Sequence, residues 1–336
     1  VPTEPHVFTP EQAAPLIAWV NERHSIYMRK EIILDAEYNG LTPDPPMSAA
    51  GQGAWGKGGW TLDRLTDDPI LREYKFTNIL RELDRTTIWI REHIREPFAD
   101  HPNLWWMLAV SRFVNHPAAL AEYIADGGWP NAEGFTPKEL TRVSEARRAR
   151  GDKVESPAYL IRPESHKAKP WYSWSKQRYV SEIALGFPWR DREIIQDFLT
   201  LDPTLEETWT FFMGAKEELD WMGWGSFTCQ QVVCDMRWTR YLHSAPDRDT
   251  WTAAGPGSMR GLNRLAGRPV GKILPQEQFL EEITQLREMV NENTASWVPP
   301  LIAMDLSNAL CEVDKYQRVK LGQGRPRSKY KPTIGE

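Results

Sequence analysis

The chain has 336 residues, enough for one large domain or two packed ones at roughly 150 residues each, which excludes a miniature scaffold held by staples. Lys+Arg 41 against Asp+Glu 46 leaves a net charge of −5, so no globally basic nucleic-acid binder is indicated, although a local basic face remains open. Hydrophobic residues at 41% and charged residues at 26% exclude wholesale disorder, and the 16 Trp are read mostly as core, with stacking platforms as the other use.

From the N-terminus, Pro10 followed by Leu16, Ile17, Trp19, Val20, Ile26 and Ile32 predicts a helix over 10–36. Residues 37–60 hold nine of the chain's glycines and prolines and predict a loop carrying Trp55, Lys57 and Trp60, either plain punctuation or a lid. Phe76, Ile79, Leu80, Leu83, Thr87, Ile90 and Ile94 then predict a helical stripe, and Trp105, Trp106, Leu108, Val110 and Phe113 an apolar helix. Another helix over 118–124 ends at Gly127-Gly128-Trp129-Pro130.

Residues 130–180 read as a small insertion with short strands over 158–162 and 171–179. Its Lys167, Lys169, Trp171, Trp174, Lys176 and Arg178 suit a nucleic-acid surface or a solvated excursion equally. Helix returns over 182–213 and 225–242. The expected organisation is a helical region over 1–129, the insertion, and a helical region over 181–336 packed with the first as one catalytic unit. Cys229, Cys234 and Cys311 form neither C-x-x-C nor a Cys/His quartet, so a reduced cytoplasm is expected. No apolar run approaches the roughly 18 residues of a membrane span, and the first 25 residues lack a signal-peptide core.

Three segments concentrate chemistry. In Tyr74-Lys-Phe-Thr-Asn-Ile-Leu-Arg-Glu-Leu-Asp-Arg85, helical spacing would put Thr77, Arg81 and Arg85 on one face and Asn78 beside them, a grip for phosphate or simply a solvated face. In Thr252-Ala-Ala-Gly-Pro-Gly-Ser-Met-Arg-Gly-Leu-Asn-Arg264, Gly255 and Gly257 allow a tight turn, Ser258 a cap, and Arg260 and Arg264 a shared face. That outline suits an anion site or a structural helical turn. Leu310-Cys-Glu-Val-Asp-Lys-Tyr-Gln-Arg318 sets Asn308, Glu312 and Tyr316 on one face, offering a base and an orienting phenol, before a basic tail with Lys320, Arg325, Arg327, Lys329 and Lys331. No G-x-x-x-x-G-K-[ST], G-x-S-x-G or H-E-x-x-H occurs, which disfavours a P-loop kinase, serine hydrolase or zinc protease.

Together with Trp60-Thr61 and Asp68-Pro-Ile-Leu71, these segments in this order resemble the bacteriophage α-glutamyl/putrescinyl thymine pyrophosphorylases, or amino acid:DNA transferases. That family shares a helical domain with the 5-hydroxymethyluracil DNA kinases. The resemblance covers about 60–330 and implies a mainly α-helical DNA-binding enzyme with a helix-hairpin-helix-like element. It implies double-stranded phage DNA carrying pyrophosphorylated 5-hydroxymethyluracil, a free amino acid or polyamine donor, a functional link to a DNA kinase, and the cytoplasm of an infected bacterium. On this reading Thr77, Asn78, Arg81, Arg85, Arg260 and Arg264 hold pyrophosphate, and the general base is one of Asp84, Asp235, Glu312 and Asp314, with Tyr316 nearby. Gly255, Gly257, Ser258, Asn263, Lys315, Arg318, Arg325 and Arg327 contact DNA, a Mg ion assists, and the target base is flipped out. A base glycosylase and a non-catalytic module recruiting a kinase are the competing readings. The glycosylases related to such hairpins carry an Asp about twenty residues on, and 271–278 contains none.

Overall fold

The computed structural model describes residues 4–39, 61–126, 136–156 and 170–330. Its helices in chain order are α1 (Pro10–Tyr38), α2 (Pro69–Glu73), α3 (Arg85–Ile90), α4 (Leu104–Val114), α5 (Pro117–Asp126), α6 (Pro137–Ala149) and α7 (Lys176–Arg178). The remainder are α8 (Gly186–Arg190), α9 (Arg192–Leu199), α10 (Leu205–Glu218), α11 (Ser226–Met236), α12 (Pro256–Leu265), α13 (Gln276–Asn293) and α14 (Ala303–Lys320). Among the described residues, extended pairing is confined to the isolated bridges Thr61↔Arg64 and Tyr74↔Lys329. The protein is mainly α, as its pattern predicts.

Local chemistry places these elements. Asp68 accepts from the Ile70 and Leu71 amides while Pro69 occupies the first turn of α2, and Thr204 and Glu207 close a capping box on α10. Asn115 ends α4 in the left-handed region at φ 47°, a conformation Asn tolerates.

The chain divides into two compact units, one made of Val1–Arg85 with Ala254–Glu336 and the other of Thr86–Ala253. In the first, α1 contributes Leu16, Trp19 and Val20 to a core completed by Phe279, Ile283 and Leu286 of α13 and by Leu306, Leu310 and Val313 of α14. Helices α12 and α14 press together at glycines. A Cβ on Gly257 would strike the Cys311 sulfur, and one on Gly261 the Leu310 carbonyl oxygen. These two residues, four apart on one face, are glycines because another helix backbone lies there.

The second unit is built on rings. Trp105, Trp106, Phe113, Phe212, Trp221 and Trp224 are buried, with Trp221 and Trp224 centroids 5.0 Å apart and Phe113 5.2 Å from Trp224. Three of the indoles place their N–H: Trp106 donates to the Leu185 carbonyl at 2.9 Å, Trp224 to Ala184 at 2.6 Å and Trp221 to Asp191 at 2.9 Å. Among the described residues six tryptophans, Trp19, Trp105, Trp106, Trp221, Trp224 and Trp251, are buried as the core reading expects.

Two local expectations are corrected. Residues 171–179 are not a strand: 170–173 form a 3-10 turn and Lys176–Arg178 a helical turn capped by Ser175, whose side chain accepts from the Arg178 amide. The 158–162 segment, Lys167, Lys169 and residues 40–60 lie outside the described residues. Residues 75–80 are not helical either; a 3-10 turn at Arg81–Leu83 precedes α3. Asn78 explains this, since its amide donates to Asp84 at 3.1 Å and its side chain to the Leu83 carbonyl at 2.7 Å, a local ring that competes with helical pairing.

Candidate functional site

The extended 75–80 segment lies along one face of α14. Phe76 and Ile79 are buried in the core beneath it, and the polar groups between them meet α14 side chains. The Thr77 amide donates to Glu312 Oε2 at 3.0 Å, and Asn308 donates to Thr77 Oγ1 at 3.2 Å and to the Asn78 carbonyl at 3.1 Å. Lys315 bridges Glu312 at 2.5 Å and the Lys75 carbonyl at 3.0 Å, with its ammonium 4.7 Å from the Phe76 ring centre. The predicted Asn308, Glu312, Tyr316 face therefore exists, and it meets a loop rather than another helix.

From the other side α1 delivers Arg23, which sequence reasoning missed. Its guanidinium donates to the Thr77 and Phe76 carbonyls at 3.0 and 3.1 Å. Burial lowers its pKa below the ordinary arginine value, opposed by the nearby charges of Asp84 and Glu312. Asp84 shows the converse. Burial raises its carboxyl pKa above the usual range and Glu312 adds to this, while the Asn78 amide, Arg81 and Arg23 pull it back. Two turns along α1, the Lys30 ammonium is pushed down by burial, helped by the positive charges of Arg23, Arg85 and Lys75 and opposed by Glu31. Two carboxylates, Asp84 and Glu312, thus sit among Arg23, Lys30, Lys75, Arg81, Arg85 and Lys315.

The shared-face argument for Thr77, Arg81 and Arg85 fails because 75–80 is not helical, yet the same residues reach the cluster by another route. The Arg81 amide donates to Asp305 Oδ1 at 3.0 Å, fixing the start of the 3-10 turn, and Arg85 is exposed at the N-terminus of α3.

A second cluster lies on the neighbouring face of α14. Asp314 is fully buried and receives Arg264 at 2.7 Å, Arg260 at 3.0 Å and Arg318 at 3.5 Å. Arg260 and Arg318 keep 40% and 39% of their side chains exposed, so three guanidiniums on one carboxylate present positive charge to solvent. Cys311 lies between the clusters, its thiol pushed up to about 11 by burial first and then by the Glu312 charge.

The remaining candidates have structural partners. Asp235, in the second unit, is fully buried and clasped by Arg112 through two bonds of 2.5 Å, with Arg112 also donating to Thr87 at 3.0 Å. Tyr316 donates to Asp68 Oδ2 at 2.6 Å, tying α14 to the cap of α2, and burial together with the Asp68 charge raises its phenol pKa strongly. Asn263 is buried and donates to the Val270 and Lys272 carbonyls at 3.2 and 2.8 Å, so it closes a turn. Ser258 is no helix cap: its hydroxyl donates to the Gly255 carbonyl at 3.0 Å. Gly255 is itself the N-cap of α12, and the close approach at Gly257 is made by Cys311.

Arg325 and Arg327 are exposed on a tail that returns to the loop: Lys75 donates to the Ser328 carbonyl at 3.1 Å, Tyr330 to Glu73 at 3.0 Å, and Lys329 pairs with Glu73 at 3.1 Å. Among the described residues no group of three or more His, Cys, Asp or Glu is arranged to hold a metal ion. The carboxylates here are engaged by amides, guanidiniums and an ammonium instead.

A family model described as the helical domain of 5-hmdU DNA kinase matches residues 61–325, which takes in all three chemical segments. The chain belongs to this helical-domain family. No curated protein and no solved structure matches it. Membership ties the helical domain to modification of DNA containing 5-hydroxymethyldeoxyuridine, and the described residues include no helix long and apolar enough to cross a membrane.

Proposed function

We propose that this chain is a transferase that joins an amino acid or polyamine to the 5-methylene carbon of pyrophosphorylated 5-hydroxymethyluracil in double-stranded phage DNA. The observation that carries the reading is the pairing of an excess of cations with two carboxylates, one of them, Asp84, held above its ordinary pKa. The amine nitrogen attacks the methylene carbon, the carbon–oxygen bond to pyrophosphate breaks, and pyrophosphate leaves with the electron pair. The proton lost by the attacking ammonium goes to Asp84. A carboxylate with a raised pKa is the better proton acceptor of the four acids, since Asp235 and Asp314 are locked in ion pairs and Glu312 holds Lys315.

Negative charge grows on the leaving group, so fixed cations stabilise the transition state more than the ground state. Arg81, Arg85, Lys30 and Lys75 take that role, and Arg260, Arg264 and Arg318 hold a neighbouring phosphate of the flipped strand. The cytoplasm of the infected cell supplies both substrates, and a DNA kinase supplies the pyrophosphate ester.

A second reading, a non-catalytic helical module that brings a kinase to DNA, is favoured by the family's description as a kinase domain. One experiment separates them. Purified protein is incubated with pyrophosphorylated hydroxymethyluracil DNA and a pool of amino acids and polyamines, and the digested nucleosides are weighed. A new thymidine adduct with release of pyrophosphate supports the transferase. Unchanged nucleosides despite DNA binding favour the module, and free base would mean a glycosylase.

A further inference from the structure

Six tryptophans of the described residues are buried below 5% exposure, whereas Trp238 is 40% exposed. It stands on a run of turns after α11 that the core pins down: Leu242 is fully buried, Thr239 donates to the Met236 carbonyl at 2.9 Å, and Trp251 to Asp247 at 2.9 Å. An exposed indole on a fixed backbone needs a reason, because its burial elsewhere would be favourable.

Three guanidiniums converge on this ring. Arg248, partly exposed, lies 5.1 Å from its centre, while Arg237 at 4.5 Å and Arg95 at 5.9 Å are themselves buried. Arg95 comes from a π-helical turn, Arg91–Arg95, and local i→i+5 winding of this kind is frequent at functional sites. Beside them Arg240 stacks on Tyr241 at 4.9 Å and is held by the Ala99 and His101 carbonyls at 3.2 and 3.1 Å. The nearby acids are engaged: Asp249 with Arg248 at 3.1 Å, Asp235 with Arg112, and Asp247 with the Leu205 and Glu206 amides that open α10.

We infer that Trp238, with Arg240 and Arg248 on the surface and the buried Arg95 and Arg237 fixing its ring, forms a nucleic-acid-binding face in the second unit. Phosphates of a DNA strand lie against Arg240 and Arg248 while a base or sugar packs on the exposed indole, the combination that serves strand binding without sequence readout. The inference deepens the reading above by giving its DNA substrate a second contact, on residues that take no part in the transfer.

The test uses the full chain and a labelled, unmodified 20-base-pair duplex, with anisotropy read over a salt series. Trp238→Ala is expected to weaken binding about tenfold, and Arg248→Glu to weaken it and flatten the salt dependence by at least about one counterion. Arg190→Ala serves as control, since it removes another ring-stacked arginine paired with the following aspartate, 4.9 Å from Phe187, elsewhere in the same unit. Thermal melts establish that each variant folds, and if Trp238→Ala does not, Arg248→Glu decides alone.

Folded variants that bind with wild-type affinity and salt slope, or an equal loss in Arg190→Ala, overturn the inference. Because unmodified DNA asks for no chemistry, binding that depends on Trp238 without any nucleoside adduct would retain this face and refute only the transferase. Adduct formation by Trp238→Ala at unchanged DNA concentration dependence would do the reverse.

Discussion

The two units spend their interiors differently. Thr86–Ala253 fills its interior with indole and phenyl rings, while the unit formed by the chain's two ends places charged groups between α1, the 75–84 segment, α12 and α14. Ring burial is non-directional and stabilises wherever area leaves water. Burying an ion costs more than its pairing returns unless geometry is good and every remaining hydrogen bond is made, so charges kept inside a fold mark where orientation or chemistry is required. The ion pair of Arg112 and Asp235 within the aromatic unit is the instructive case: closed, bidentate and wholly buried, it has the form of a structural clasp. The Asp84 cluster is instead surrounded by more cations than its two carboxylates balance, the arrangement the proposed transfer would use.

Four variants sharpen that contrast. The largest effect is expected from Arg112→Ala, which strands Asp235 in a dry interior and should lower stability by about 3–5 kcal/mol in denaturant unfolding. Next, Asp84→Asn should slow transfer about 10²–10⁴-fold while leaving the melting temperature close to wild type. Were melting to collapse instead, Asp84 would be a clasp like Asp235. Gly261→Ala drives a methyl into the Leu310 carbonyl and should cost about 1–3 kcal/mol or more, measured by the same unfolding, because α14 cannot withdraw without disturbing both clusters. The smallest change belongs to Lys329→Ala, whose exposed, solvent-screened pair with Glu73 should leave the unfolding midpoint close to wild type.

Legibility in the sequence followed the range of the interactions. Helices α1, α4, α10 and α14 were readable because caps, prolines and apolar runs act within a turn or two, whereas α6 lies in the stretch read as an insertion with strands. The 74–85 segment misled because its apolar residues happen to fall at helical spacing, while Phe76 and Ile79 are buried by partners more than fifty residues away. Gly257 carries no mark that separates a turn glycine from one pressed against a helix; only the four-residue spacing to Gly261 hinted at the latter. Glu312 and Asp84 were visible as acids in suggestive company, but Arg23 and Lys30 on α1 looked like any solvated face, and their part emerges only when α1 packs beside the loop. The basic triplet Arg147, Arg148 and Arg150 shows the opposite error to guard against: Arg147 is buried against Glu122 and the Lys153 carbonyl, and Arg150 pairs with Glu122 at 2.8 Å, so part of an apparent basic patch is internal scaffolding.

The central claim is that Asp84 is the base, and the pH dependence of pyrophosphate release tests it most directly. A carboxyl with a raised folded-state pKa holds its proton to higher pH than its unfolded counterpart, so it accepts the ammonium proton only once pH has risen through that raised value, and its ionisation then lowers stability rather than adding to it. The wild-type rate on saturating pyrophosphorylated DNA should therefore climb on a limb displaced above the ordinary carboxylate range, and Asp84→Asn should lose both the limb and most of the rate. An unchanged profile in Asp84→Asn, or pyrophosphate retained on the DNA at every pH by the folded wild-type protein, would contradict the account.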